Sequence, residues 1–226
     1  FSPQLQRKLK NNSKVRKSSP NLLFSPESEL SYNKCMIDVH CHLNFHSFEK
    51  DVDEVIKSAF EAGVTKIINV GTKIDSSQKA VELAKNHENL FAIVGIHPHH
   101  ADKTEKNWEN KLERLAKNTK VVGIGEIGMD YFRYKSNDIV DPKLQKQVFI
   151  KQIELACKLK LPLQIHNRHA GKDILDILLN HKSYLLNPPG MFHCMSGNLD
   201  FLRKVLDLGF YIGFDGNITY SGLAPG

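Results

Sequence analysis

The chain has 226 residues, of which 41% are hydrophobic and 25% are charged, as is usual for globular proteins. No apolar stretch approaches the roughly 20 residues needed to cross a bilayer, so we expect no membrane partner. The formal net charge is +6, but residues 1–35 hold seven Lys or Arg against two Glu. The rest is nearly neutral, so its charge alone does not indicate a nucleic-acid-binding surface.

Residues 1–35 are rich in Ser, Asn, Lys and Pro and lack hydrophobic periodicity, which predicts a disordered basic tail. Met36 opens the first apolar run and is a candidate translation start. The four cysteines form no CxxC pair and have no disulfide-like spacing; they are Cys35, Cys41, Cys157 and Cys194. This usage indicates a reducing compartment, and we expect a cytoplasmic protein.

From residue 36 onward, short apolar runs alternate with segments of helical periodicity. Strands are predicted at 36–39, 66–70, 90–96, 121–125, 161–165, 190–192 and 210–214. Helices are predicted at 49–62, 76–86, 108–117, 142–160, 172–179 and 199–208. Near-continuous apolar strands, most of them followed by a helix, are typical of a parallel sheet covered by helices.

We predict that residues 36–226 form a TIM (β/α)₈-type barrel, because polar residues follow several strands and this fold builds its active site from strand ends. A doubly wound open sheet would carry a Gly-rich phosphate loop, and neither GxGxxG nor GxxxxGK[ST] occurs. A typical barrel has about 250 residues. With seven strands found, we expect the last strand and helix to be missing from this chain.

Four predicted strands lead into residues that can bind metals. His40 and His42 are two residues apart, which on an extended chain places both side chains on the same face. Glu126, His166 and His193 follow three later strands. An unpaired buried carboxylate is costly, so Glu126 is hard to explain as a core residue. Taken one strand at a time, surface histidines remain the alternative.

Histidine and carboxylate ligands suit Zn, Mn, Mg or Fe. A single catalytic zinc uses three protein ligands, and this set is larger. We therefore predict two divalent metal ions that activate a water molecule for hydrolysis. Glu126, the predicted catalytic residue, is the natural bridge because a carboxylate has two oxygens to share.

Five segments resemble the TatD-type metal-dependent hydrolases, a family within the amidohydrolase-like barrels. They are MIDVHCHL at 36–43, GIHPH at 95–99, GIGEIGMDY at 123–131, LPLQIHNR at 161–168 and FHCMSG at 192–197. The resemblance implies cleavage of phosphodiester bonds by a deoxyribonuclease or exonuclease that uses two Mg, Mn or Zn ions. It implies that His40 and His42 bind one metal. It also implies that Glu126 bridges this metal and a second metal, and that His166 and His193 bind the second metal.

Further polar residues lie near the predicted ligands. His97 and His99 follow the third strand, and we expect both to contact substrate. Arg168 follows the fifth strand, and its guanidinium suits a scissile phosphate. Solvated loop residues or a surface ion pair are the alternatives. Asp130 and Tyr131 either shape the substrate cleft or pack the loop.

The family's last ligand, an aspartate after strand eight, has no counterpart here, because the setting of Asp215 does not match that motif. This aspartate completes the first metal in the family, so we expect the position at His40 and His42 to be the weaker one. DNA or another phosphodiester is the expected substrate, and a monomer is expected. An amide or ester substrate on the same barrel, or an inactive fragment, are the alternatives.

Overall fold

A computed structural model describes residues 36–135 and 138–216. The tail predicted at 1–35 lies outside these residues. The strands are β1 (Met36–Cys41), β2 (Val64–Val70), β3 (Leu90–Val94), β4 (Val121–Asp130), β5 (Leu163–Arg168), β6 (Gly190–Phe192) and β7 (Tyr211–Ile212). The α-helices are α1 (Val52–Glu61), α2 (Ile74–Asn86), α3 (Trp108–Ala116), α4 (Pro142–Leu159), α5 (Gly171–Asn180) and α6 (Leu199–Asp207).

The strands form one parallel sheet in sequential order, from β1 to β7. The sheet is curled, because the side-chain amide of Gln164 on β5 donates a hydrogen bond to the Val39 carbonyl on β1 (2.8 Å). Two strands with three others between them meet in this way only when the sheet bends toward a closed cylinder. The predicted barrel architecture is confirmed. An eighth strand is not among the described residues.

The helices cover the outside of the sheet with apolar faces. Phe149 and Ile153 of α4 and Ile174 and Leu178 of α5 are almost completely buried. Burying each such side chain stabilises the fold by about 1.5–3 kcal/mol. This packing holds the strands, and therefore the carboxyl ends of those strands, in fixed relative positions.

The prediction for β4 was wrong at its carboxyl end. The strand runs to Asp130 instead of ending before Glu126, so Glu126 lies inside it. Gly128 (φ +140°) permits the extension, since a Cβ at this position would lie 2.0 Å from the His166 carbonyl oxygen. The close approach pairs β4 with β5 as far as Asp130 and Arg168. Gly128, which in the sequence alone indicates a loop, thus lies within the paired part of the strand.

The last strand is shorter than the predicted 210–214, since only Tyr211 and Ile212 pair with β6. The helices occur where they are predicted, with ends that differ by three residues at most. Within the described ranges, every helix is too short or too polar to cross a lipid bilayer.

Candidate metal centre

The carboxylate of Glu126 lies at the centre of the five predicted ligands. One oxygen, Oε2, is 3.7 Å from His40 Nε2 and 3.5 Å from His42 Nε2. The other, Oε1, is 2.8 Å from both His166 Nδ1 and His193 Nε2. The structure therefore brings together all five side chains, from β1 and the residue that follows it, from β4 and β5, and from the residue that follows β6.

The nitrogen atoms in each pair have the spacing of ligands to one ion. Nε2 of His40 is 3.2 Å from Nε2 of His42, and Nδ1 of His166 is 3.3 Å from Nε2 of His193. Two nitrogens that bind one zinc tetrahedrally at about 2.0–2.1 Å are about 3.3 Å apart. The donor set therefore fits two cations, each with two imidazoles and one oxygen of Glu126.

Three of these imidazoles have their second nitrogen next to a hydrogen-bond acceptor. The acceptors are the Gln164 amide oxygen for His40 (2.8 Å), the Val70 carbonyl for His42 (2.9 Å) and the Asp130 carboxylate for His166 (3.1 Å). Each acceptor holds the proton on the nitrogen that faces away from Glu126. With the proton held there, the other nitrogen is the one that would present its lone pair to a cation beside Glu126, as a metal ligand requires.

His193 differs from the other three. Within the described ranges, its buried Nδ1 has no hydrogen-bond partner, and the Asp215 carboxylate lies 3.9 Å away. Burial lowers the pKa of His193, but Glu126 and Asp215 together raise it to about 9. Burial also raises the pKa of Glu126, but the neighbouring His193 and His97 hold it well below its usual range. In the metal-free protein this is therefore an imidazolium–carboxylate pair.

His97 is buried against the same carboxylate but has the opposite tautomer. Its Nδ1 accepts a hydrogen bond from the backbone N–H of His99 (3.1 Å), so Nδ1 carries no proton. The proton of the neutral ring is therefore on Nε2, which lies 3.5 Å from Glu126 Oε1. Burial holds the pKa of His97 well below its usual value, so the ring is neutral. His97 is a hydrogen-bond donor at the edge of the centre.

Asp130 connects the centre to its rim. Its carboxylate is fully buried and lies 2.9 Å from His99 Nε2 and 3.2 Å from the Tyr134 hydroxyl. That hydroxyl accepts a hydrogen bond from Arg168 Nη1 (2.6 Å), and the guanidinium lies 3.9 Å from the centroid of the Phe132 ring. Arg168 and His99, both predicted substrate contacts, thus lie on one rim of the centre.

Two residues of this arrangement, Gln164 and Tyr134, were not predicted from the sequence. Gln164 lies two positions before His166 on a strand, so the alternation of side chains was a signal that both face the same side. Tyr134 lies in the segment after β4, where no pattern indicates its contacts.

A sequence profile described as TatD related DNase matches residues 37–224. The chain belongs to the TatD family. This membership confirms the predicted family, a family of metal-dependent hydrolases that act on phosphodiester bonds. The matched range includes every residue of the metal centre and its rim.

Curated relatives support the same assignment. The chain is 35% identical over 189 residues to the uncharacterized metal-dependent hydrolase YabD of Bacillus subtilis, a match that covers 82% of this chain and 70% of YabD. It is 34% identical over 182 residues to the 3'-5' ssDNA/RNA exonuclease TatD of Salmonella typhimurium, covering 80% of this chain and 67% of that protein.

A solved structure extends the similarity to the fold. The TatD homolog YJJV of Escherichia coli K12 superposes with a TM-score of 0.74 at 33% sequence identity. The superposition covers 83% of this chain and 71% of YJJV.

Proposed function

We propose that this protein is a nuclease that hydrolyses phosphodiester bonds in DNA, as an exonuclease, with two divalent metal ions. The observation that carries the proposal is the arrangement around Glu126. Each carboxylate oxygen faces the imidazole nitrogens of two proposed ligands, and in three of these four rings a hydrogen-bond acceptor holds the proton on the opposite nitrogen.

His40, His42 and Oε2 of Glu126 would hold one ion. His166, His193 and Oε1 of Glu126 would hold the second. Bound Mg, Mn or Zn would supply Lewis acidity, which makes water nucleophilic near neutral pH and neutralises charge on phosphate oxygens. The donor types alone do not select among these three metals.

The remaining residues of the centre would donate hydrogen bonds to the substrate and bind its phosphate. Nε2 of His97 carries a proton beside the cluster, where it can donate to an oxygen of the reacting phosphodiester. Arg168 presents a guanidinium on the rim, held by the Tyr134 hydroxyl and the Phe132 ring. A planar guanidinium suits the two oxygens of a phosphate. His99 packs edge-on against the Tyr134 ring and is the third proposed substrate contact.

The choice of nucleic acid as substrate rests on the relatives and on this rim. The Salmonella typhimurium relative is named as an exonuclease of single-stranded DNA and RNA. In this chain, a guanidinium and neighbouring aromatic rings, Phe132 and Tyr134, lie at the mouth of the centre. Aromatic rings and Arg are the groups on which unpaired bases stack.

The proposal is tested by digestion of end-labelled single-stranded DNA with full-length protein and Mg²⁺ or Mn²⁺. Glu126→Gln removes the charge shared by both ions and is expected to lower kcat/KM by about 10²–10³-fold, because the bound ions stabilise the transition state by several kcal/mol. EDTA is expected to abolish digestion. The matched control is Glu61→Gln, at an exposed position on α1, which is expected to leave activity unchanged.

Activity that survives EDTA or Glu126→Gln would refute the proposal. Faster hydrolysis of amides or carboxylic esters than of phosphodiesters, in a parallel substrate panel, would instead support the alternative amidohydrolase or esterase.

We also propose that the protein is cytoplasmic. Cys41 and Cys157 are not in disulfides, which suits a reducing compartment. The predicted monomer stays a prediction, which size-exclusion chromatography with light scattering will check.

A further inference from the structure

Asp130 is the last residue of β4 and its backbone is held on both sides. Gln145 of α4 accepts a hydrogen bond from the Asp130 N–H (2.8 Å) and donates one to the Asp130 carbonyl (3.0 Å). Gln145 is itself buried, with 1% of its surface exposed. The position of this carboxylate is therefore fixed by the fold before any ligand binds.

Four donors surround the Asp130 carboxylate. Oδ1 accepts from the backbone N–H of Phe132 (2.8 Å). Oδ2 lies 3.1 Å from His166 Nε2, 2.9 Å from His99 Nε2 and 3.2 Å from the Tyr134 hydroxyl. A buried carboxylate needs such donors, and here they belong to two functional parts of the protein.

The direction of each hydrogen bond follows from the donors available. Arg168 can only donate, so the Tyr134 oxygen accepts from it. The single hydroxyl proton of Tyr134 is then free to go to Asp130. On the other side, His166 must donate from Nε2 because an ionised carboxylate only accepts. One oxygen of Asp130 thereby sets the tautomer of a proposed ligand and the orientation of the proposed phosphate contact.

We propose that Asp130 is a positioning residue that couples the metal position at His166 to the Arg168 phosphate contact. It presents the Nδ1 lone pair of His166 to the second cation and, through Tyr134, holds the guanidinium of Arg168 at the rim. The coupling to substrate rests on the proposed function, whereas the effect on His166 does not.

His97, His99 and Asp130 are also close enough to hold a cation of their own. The hydrogen bonds favour the positioning role. Both oxygens of Asp130 already accept hydrogen bonds, and Nδ1 of His97 accepts one from the backbone.

Asp130→Asn tests the proposal because it replaces one carboxylate oxygen with an NH₂ donor. The neutral amide is a weaker acceptor than the carboxylate and has one oxygen for four donors, so it no longer holds the proton on His166 Nε2. The Glu126 carboxylate, 2.8 Å from Nδ1, then draws the proton to the metal-facing nitrogen. Titration of metal-free, full-length protein with Co²⁺, followed by its visible absorption, is expected to show one binding step weakened about 10–100-fold and the other unchanged. Nitrogen NMR of the histidine side chains is expected to show the changed tautomer of His166.

Tyr134→Phe separates the effect on metal binding from the effect on substrate binding. It removes only the hydroxyl between Asp130 and Arg168, so we expect unchanged Co²⁺ binding and a KM for single-stranded DNA raised several-fold. The control is Asp173→Asn, an exposed carboxylate that accepts from the Tyr131 hydroxyl (2.5 Å), which is expected to change neither quantity.

Unchanged Co²⁺ binding by Asp130→Asn would overturn the proposal, as would the loss of a third Co²⁺ equivalent, which would identify a cation site instead. If Asp130→Asn does not fold, an unchanged KM in Tyr134→Phe overturns the coupling by itself. Wild-type protein that binds Co²⁺ without cleaving DNA would refute the proposed function, while the Co²⁺ titration still decides the role of Asp130.

Discussion

His97 and the proposed ligands His40, His42 and His166 belong to one cluster but carry their protons on different sides. The three ligands donate from the nitrogen that faces away from Glu126, whereas His97 accepts there and carries its proton toward Glu126. A backbone N–H cannot change its role, so this tautomer of His97 is set by the chain itself. The same residue type therefore serves as ligand or as donor, according to its second hydrogen bond.

We expect His97→Ala to affect substrates according to their leaving group. A neutral hydrogen-bond donor that stabilises the negative charge on a departing alkoxide typically contributes about 10²–10³-fold, and contributes little when the leaving group is already acidic. The variant is expected to lower kcat/KM by about 10²-fold on oligonucleotides and by less than about threefold on bis(p-nitrophenyl) phosphate. Steady-state kinetics on both substrates checks this, and equal losses on the two would show that His97 does not act as the donor.

The five proposed ligands could be predicted from the sequence because each ends or follows a short apolar run, and the carboxyl-terminal halves of barrel strands meet at one face. The hydrogen bonds that orient these ligands could not be predicted from the sequence. Gln164 meets His40 across 124 residues, and Asp130 meets His166 across 36. These contacts depend on how far the sheet curls and where β4 ends, and local periodicity carries no information about either.

At the scale of elements, the β4–β5 pair sets the spacing of the centre. Glu126 lies on one strand and His166 on the other, and Gly128 pairs directly with His166. The missing side chain of Gly128 allows the two backbones to approach. Sequence patterns placed the end of β4 five residues too early for this reason, since glycine in isolation indicates a turn.

We predict that Gly128→Ala destabilises the protein by about 2–4 kcal/mol, because the new Cβ combines an unfavourable φ with a steric overlap. The matched control is Gly209→Ala, which also has a positive φ (+86°) but whose Cβ would have an ordinary contact of 3.5 Å with Pro189. We expect Gly209→Ala to lower the free energy of unfolding by about 1 kcal/mol. Urea denaturation measures both, and equal losses would contradict the steric argument.

At the scale of the whole molecule, the centre joins the first strand to the fifth and sixth and so lies where the sheet curls. The ring of His40 stacks on the ring of His193 with 4.0 Å between centroids, and Gln164 connects β5 to β1. Protonation of this cluster therefore contributes to the stability of the barrel as a whole.

We predict that metal-free, full-length protein loses stability as the pH rises from 6.5 to above 9. The folded protein holds a proton on His193 up to a pKa of about 9, against 6.5 for an ordinary histidine. Between these values the folded state binds more protons than the unfolded state, so stability falls with rising pH, by about 3 kcal/mol in all. Urea denaturation in EDTA at pH 6.5, 8 and 9.5 measures this.

His193→Gln is the control for the pH series and is expected to flatten the dependence. Stability that stays constant or rises between pH 6.5 and 9.5 in the unsubstituted protein would contradict the assignment of the proton to His193.

The long separation of the ligands along the chain has a consequence during translation. About 150 residues lie between His42 and His193, and at about 5–20 residues per second a ribosome needs about 8–30 s to add them. Until then the nascent chain cannot assemble the proposed metal centre. The proposed nuclease activity therefore arises only after most of the barrel has left the ribosome.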